Sequence, residues 1–367
     1  MPFALAGSYR LVRRAVSDVT TLAAVAVLLA ALGGCASTPA NDASASAQPA
    51  GAASAASAAT ALPSWRDGAS KQAIVRFVET VTRPGTPEYV LPAERIAVFD
   101  NDGTLWSEQP LYFQFFFLLD QIRAAAPQHP EWKNNPAFKA LMANDMAALM
   151  REEKRLLPLI AQANSGMTVD EYDRTIRAWL DTARHPKFNR PYTDLVFQPQ
   201  VELLNYLRAN GFKTYIVSGG TIEFMRPWSE RVYGIPPEQV VGSTQTVTYE
   251  VRNGQPTLLR GPRLEFINDG AGKPVGIYRQ IGRRPILAVG NSDGDLQMLQ
   301  YTMAGTGQRL AVLVHHDDAE REFAYDRKSG IGKLDKALDE AVTRGWTVIS
   351  MKQDWARIYP NYPAAQP

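Results

Sequence analysis

Arg95-Ile-Ala-Val-Phe-Asp100-Asn-Asp102-Gly-Thr104-Leu-Trp106 is a short apolar run that ends in two acids one residue apart, followed at once by Gly-Thr. Ile96, Val98 and Phe99 read as a buried strand. Asp100 and Asp102 then sit at its carboxyl end, where open α/β sheets place their ligands. Two carboxylates held there repel each other unless a cation, a proton or a phosphoryl reaction needs both. Asn-Asp-Gly is also good turn chemistry, so the run alone is compatible with a strand that simply ends in a polar turn.

Outward from this run, apolar strands alternate with helical patterns. Ser70 reads as the N-cap of a helix over 71–81, ended by Pro84-Gly85. Between Glu108 and Phe197 no strand is expected. Helical patterns cover 111–126 and 136–163, and a third helix opens at Thr168-Val-Asp-Glu171, which has capping-box form. Further on, Pro199 opens and Gly211 closes another helix. A strand over 214–217 runs into Ser218-Gly219-Gly220-Thr221. Segments 247–251 and 257–259 flank Asn253-Gly254, a hairpin signal. A strand over 286–289 ends at Gly290-Asn291-Ser292-Asp293-Gly294-Asp295, and 310–314 is read as the last strand. This alternation predicts an α/β fold: a doubly wound, Rossmann-like parallel sheet with an inserted helical cap and a short β-hairpin.

The chain has 367 residues, 45% of them hydrophobic, enough for a substantial core. Its 39 basic and 37 acidic residues nearly cancel, so nothing marks a nucleic-acid binder. One cysteine excludes an intrachain disulfide and a cysteine-built zinc site. The four histidines, His129, His185, His315 and His316, lack helical zinc-ligand spacing.

The amino terminus reads as an export signal. Arg10, Arg13 and Arg14 precede an apolar stretch over 19–32 that is too short to span a bilayer comfortably. It ends in Leu32-Gly33-Gly34-Cys35-Ala36, which resembles a bacterial lipobox. That resemblance implies lipidation of Cys35 and a membrane anchor made of several acyl chains. Ala36 in place of Asp favours the outer membrane, facing the periplasm. An ordinary signal peptide with a chance cysteine is the alternative. Residues 35–62 are rich in Ala and Ser and read as a disordered tether. The expected organisation is a lipoprotein signal peptide over 1–34, the tether over 35–62, a catalytic core from 63–107 and 198–367, and the helical cap over 108–197.

Four elements in chain order resemble the motifs of the haloacid dehalogenase-like superfamily, in its phosphoserine-phosphatase-like branch. They are Asp100-x-Asp102-Gly-Thr104; Ser218 before Gly219-Gly220 and a helix; Lys273 in Gly272-Lys273-Pro274; and the acidic loop Gly290–Asp295. The resemblance implies a phosphatase for a small phosphomonoester, with Asp100 as nucleophile forming an aspartyl phosphate and Asp102 as general acid and base. It implies that Ser218, Gly219 and Thr104 hold phosphoryl oxygens and that Lys273 balances charge. It also implies magnesium held by the Asp100 carboxylate, the Asp102 backbone carbonyl and Asn291, where relatives often carry Asp. Asp295 would orient a metal water or Lys273, and Asp293 is the alternative ligand. Asp102 argues against a dehalogenase, whose halide leaves without a proton.

Other residues have two readings. Glu108 and Trp106 are candidates to face the substrate, as an amine partner and a cation–π partner for a quaternary ammonium such as phosphorylcholine. The alternative is a packed Trp and a solvated Glu. Arg174 and Arg177 could clamp an acidic substrate or be solvated. His315-His316-Asp317-Asp318 is a candidate metal cluster at a strand end or a plain surface loop. The rival functions are a phosphotransferase or phosphomutase using the same aspartyl phosphate, and a non-catalytic solute-binding lipoprotein. The sequence carries no sign of oligomeric state.

Overall fold

The computed structural model describes residues 61–360. Cys35, the apolar stretch before it and nearly all of the tether lie outside the described residues. Among the described residues, no helix is long and apolar enough to cross a membrane.

The strand at the centre of the sheet, β1 (Ile96–Phe99), is buried along its whole length. Successive side chains of a strand point to opposite faces, so a central strand covered on both sides must be apolar throughout. Accordingly Ala97 and Phe99 belong to one hydrophobic cluster, and Ile96 and Val98 to another. The other strands are β2 (Lys213–Thr221), β3 (Val240–Arg252), β4 (Gln255–Phe266), β5 (Leu287–Gly290), β6 (Leu310–Asp317), β7 (Ala324–Tyr325) and β8 (Thr347–Ser350). Their order is β4-β3-β2-β1-β5-β6-β7, and β8 also pairs with β6. Pairing is parallel from β3 through β6 and on to β8; β4 and β7 run antiparallel at the margins. The carboxyl ends of β1, β2 and β5 therefore emerge side by side.

Four expectations are corrected. The helix expected over 136–163 is three helices, Pro136–Met142, Met146–Arg151 and Glu153–Ala163. Asn144 turns left-handed (φ 55°), and the Asp145 side chain caps a new start by accepting from the Ala148 N–H. Ser70 is not a cap: the helix is Ala69–Thr82, capped at Gly68, and the Ser70 hydroxyl bonds Asp354 instead. The hairpin is longer than expected, β3 and β4 running 13 and 12 residues. Its turn is as expected, since Asn253 (φ 50°) and Gly254 (φ 76°) supply the two positive φ angles of a type I′ loop. Finally, β6 is not the last strand. Beyond it lie β7, two residues long, and β8, where one side chain in four is buried, so neither carries the fully apolar run that marks β1 and β5.

Between β1 and β2 the chain is helical, and its packing divides it. The first inserted helix, Phe113–Ala125, sends Leu119 and Ile122 into a separate apolar cluster with Trp132, Phe138, Leu141 and Leu156. From the same helix, Phe113 and Phe117 join the main cluster. So do Tyr172, Ile176 and Trp179 of the helix Val169–Thr182, which starts with the expected capping box. The insertion is thus keyed into the sheet layer along two helices.

Candidate active site

Asp100 emerges from the end of β1, and its backbone N–H donates to the Val289 carbonyl of β5 at 2.9 Å. Lys273, at the start of the helix Gly272–Gln280, reaches it from behind. The ammonium is buried and donates to Asp100 Oδ1 (2.6 Å), Asp295 Oδ1 (2.6 Å) and the Val217 carbonyl (3.0 Å). An ammonium has three donors, and all three are committed here. Burial opposes the lysine charge, but Asp100 and Asp295 outweigh it and hold Lys273 above its usual range. For Asp100, burial and then the Asp295 charge push the carboxyl well upward, with Lys273 pulling the other way. One lysine shared between two buried carboxylates leaves negative charge in excess.

The loop after β5 is organised by Asp295. Its Oδ2 accepts from the backbone N–H groups of Asn291 (2.9 Å) and Ser292 (3.0 Å) while Oδ1 holds Lys273. Asp293, two residues earlier, faces another way. Its carboxylate accepts from the backbone N–H groups of Asp335 (3.0 Å) and Ala337 (2.9 Å), capping the helix Lys336–Arg344. Both bonds go to Oδ1, and Asp293 does not line the catalytic cavity. Asn291 accepts from the Thr104 hydroxyl (3.0 Å) and donates to Glu108 Oε1 (2.6 Å); Thr104 and Asn291 are tied to each other just behind the residues that line the cleft. The close approach needs Gly103, which has φ 75°: a Cβ there would lie 2.1 Å from Asn291 Nδ2 and 2.3 Å from Glu108 Oε1.

Trp106 does not face a substrate. It is fully buried, stacked on Trp228 with centroids 4.4 Å apart, and its indole N–H donates to Asp102 Oδ1 at 2.8 Å. The packed reading holds, and the indole also orients Asp102. Burial raises Asp102 to about 6, and the Trp106 bond opposes that rise. Glu108 is not solvated. It is buried, accepts from Asn291 and from the Tyr325 hydroxyl (2.9 Å), and burial followed by the Asp102 charge pushes it well above the carboxylate range.

On the other side, β2 shifts register against β3 between Val217 and Thr221, where Ser218-Gly219-Gly220 turns toward the cleft. The Ser218 hydroxyl accepts from the Gly220 N–H at 3.0 Å, leaving its own hydrogen for a ligand. Asn268 braces the turn by donating to the Ser218 carbonyl at 2.9 Å. Asp100, Asp102, Glu108, Ser218, Gly219 and Lys273 all line one cavity of about 330 Å³, which the inserted helix covers through Tyr112, Gln114, Phe115 and Leu118.

Arg174 and Arg177 do not line this cavity; both are exposed, and Arg177 pairs with Asp173 at 2.6 Å. The His315–Asp318 cluster disperses. His315 faces Asp326, Asp317 accepts from the Lys352 N–H, and Asp318 holds Arg321. Among the described residues, no three His, Cys, Asp or Glu side chains gather as a metal-holding group.

A family model described as haloacid dehalogenase-like hydrolase matches residues 97–300, more than half of the chain. The chain belongs to that family. No curated protein matches the sequence. A solved structure of a conserved, functionally unknown protein from Anaerococcus prevotii DSM 20548 is similar at 15% identity, with a TM-score of 0.50, covering 78% of this chain and 94% of that one. A protein of unknown function from Bordetella pertussis Tohama I is 17% identical, with a TM-score of 0.44, covering 70% and 99%. A phosphoserine phosphohydrolase-like protein from Francisella tularensis subsp. tularensis SCHU S4 is 13% identical, with a TM-score of 0.34, covering 68% and 99%.

This haloacid dehalogenase-like hydrolase also carries site residues that sequence reading missed, Gln114 and Tyr325, and one it had read only as a candidate metal ligand or a surface residue, His316. Gln114 crosses from the inserted helix to the Ser218 turn, donating to Thr221 Oγ1 (2.9 Å) and accepting from the Thr221 N–H (3.0 Å). His316 is buried and donates from Nε2 to the Gly103 carbonyl at 2.7 Å. Its Nδ1 lies 3.2 Å from Glu322, and its ring stacks on Tyr325 at 4.3 Å. His316 and Tyr325 lie beyond the matched segment, so no family motif would flag them. The double histidine after an apolar strand was the one signal available.

Proposed function

We propose that this hydrolase is a magnesium-dependent phosphatase that cleaves a small phosphomonoester through an aspartyl phosphate on Asp100. The observation that carries this reading is the second acid: Asp102 lines the same cavity as Asp100, Ser218 and Lys273. A halide leaving group has no use for a proton donor, whereas an alkoxide needs one.

The donor set fits a hard cation. The Asp100 carboxylate, the Asp102 backbone carbonyl and the Asn291 side-chain carbonyl are the residues that would hold magnesium, all through oxygen. The excess negative charge around one shared lysine also suits it. When bound, the cation supplies charge neutralisation for the phosphoryl group and the buried carboxylates.

The chain's own groups then act in order. An Asp100 carboxylate oxygen attacks phosphorus, and the ester oxygen departs with the proton of Asp102. Asp102, raised to about 6, is suited to hold that proton close to neutral pH. Trp106 fixes which carboxylate oxygen is free to act. Water then attacks phosphorus, Asp102 takes a proton from it, and inorganic phosphate leaves with Asp100 restored. The Ser218 hydroxyl and the Gly219 N–H hold phosphoryl oxygens, while Lys273 keeps Asp100 in place.

For location, we propose export with a lipid anchor on Cys35, at the outer membrane facing the periplasm. The support is the basic, apolar and small-residue order before Cys35.

The test is phosphate release from 4-nitrophenyl phosphate by the full chain in detergent, with magnesium or a chelator, and for Asp100→Asn. Turnover should need the metal and fall about 10³-fold or more in the variant. Transfer of phosphate to an added alcohol in preference to water would favour the phosphotransferase reading.

A further inference from the structure

The inserted helix Phe113–Ala125 has more than one apolar side. Phe113 and Phe117 are buried in the main cluster, and Leu119 and Ile122 in the cap cluster. A third line, Tyr112, Phe115 and Leu118, has the three-residue spacing of one helix face and lines the catalytic cavity. Ile267, half exposed, stands among the lining residues from the far wall. A leaving group rising from the phosphoryl position therefore meets an apolar and aromatic wall.

The charges around that space have one sign. The only cationic side chain lining the cavity, among the described residues, is Lys273, and Asp100, Asp295 and the Val217 carbonyl already take its three donors. Among the acids lining the cavity, Asp269 is exposed. Asp269 stands over the phosphoryl-side turn: a Cβ on Gly219 would meet its carboxylate oxygen at 3.5 Å. A carboxylate on the leaving group would enter this space without a cation to receive it, and an unpaired charge out of water is costly.

Building on the phosphatase reading, we propose that the cavity takes phosphomonoesters of apolar alcohols that carry no negative charge, and discriminates against esters that bear a carboxylate. The specificity-determining residues are Tyr112, Phe115 and Leu118 on the helix and Asp269 opposite.

The test compares kcat/KM of the full chain with magnesium for 2-phenylethyl phosphate and for O-phosphoserine. Both are alkyl esters; the second adds a carboxylate and an ammonium, so 2-phosphoglycolate, which has the carboxylate alone, is measured beside it and should be the poorest of the three. The expected preference for 2-phenylethyl phosphate is about tenfold or more. Leu118→Arg places a guanidinium on the wall and Asp269→Asn removes the opposing charge. Each should narrow the ratio by raising kcat/KM for phosphoserine, and Asp269→Asn serves should Leu118→Arg fail to fold. Equal or better turnover of phosphoserine by the parent overturns the inference while leaving the phosphatase reading intact. Hydrolysis of none of the three esters, nor of 4-nitrophenyl phosphate, removes the phosphatase reading and this inference with it.

Discussion

The floor and the roof of the cleft are built on opposite plans. On the floor, Asp100, Asp295 and Lys273 are buried and locked by hydrogen bonds of 2.6–3.0 Å, and Asn291, Glu108 and Thr104 are tied to one another. On the roof, Tyr112, Phe115 and Leu118 present partly exposed apolar surface, and Gln114 makes the polar tie to the Ser218 turn. The floor has no slack, because each buried charge depends on a partner at one distance. The roof depends on area and shape, which vary gradually. Changes to the floor should therefore act on kcat and stability, and changes to the roof on KM and selectivity.

The sharpest way to break this contrast is Lys273→Met. It leaves Asp100 and Asp295 buried without their cation, and should cost about 3–5 kcal/mol by urea unfolding of the metal-free chain. A cost below about 1 kcal/mol would mean the floor is not held by this lysine.

His316→Phe comes next. Phenylalanine keeps a ring against Tyr325 but cannot donate to the Gly103 carbonyl, so the nucleophile loop loses a fixed point. The expected result is kcat lowered roughly 10- to 100-fold with KM within about threefold and a cooperative melt retained. Lower melting temperature with unchanged kcat would assign His316 to stability alone.

Asp102→Asn sharpens the comparison from another side. Burial raises Asp102 from its ordinary value to about 6, so its folded form favours the proton. Its contribution is therefore favourable at acid pH and is lost as pH climbs from about 4 through 6. In the metal-free chain at pH 7, the substitution should add about 1–2 kcal/mol of stability, discounted because Asp102 is only partly buried. The gain should vanish near pH 4, which denaturation at the two pH values will decide. Activity should be lost in the same variant.

The smallest effect belongs to the roof. Leu118→Ala should raise KM for an apolar ester by about threefold to tenfold and leave kcat within about twofold. Steady-state kinetics on 2-phenylethyl phosphate would reverse the contrast if kcat fell instead.

The legibility of the site follows the same division. Asp100, Asp102, Ser218, Lys273 and Asp295 were readable because each is the end of a strand or the start of a helix, and local sequence carries that position. Asp293 and Asp295 are two residues apart in one acidic loop, and nothing local separates them. One caps the helix Lys336–Arg344 and the other holds Lys273, a difference made by partners 22 or more residues away. Trp106 had two readings for the same reason: whether an indole packs or lines a cleft depends on Trp228, more than a hundred residues on.

By itself, the sequence determined the parallel α/β core, the order of the motifs and the acids at the end of β1. These rest on apolar periodicity and on residue types within a few positions of one another. Only the tertiary structure decided that the 136–163 helix breaks in three, that His316 and Tyr325 reach back to the nucleophile loop, and that Lys273 has no donor left for a substrate. Those facts depend on which groups meet across the fold, and a hydrogen bond between distant segments leaves no periodic trace in either.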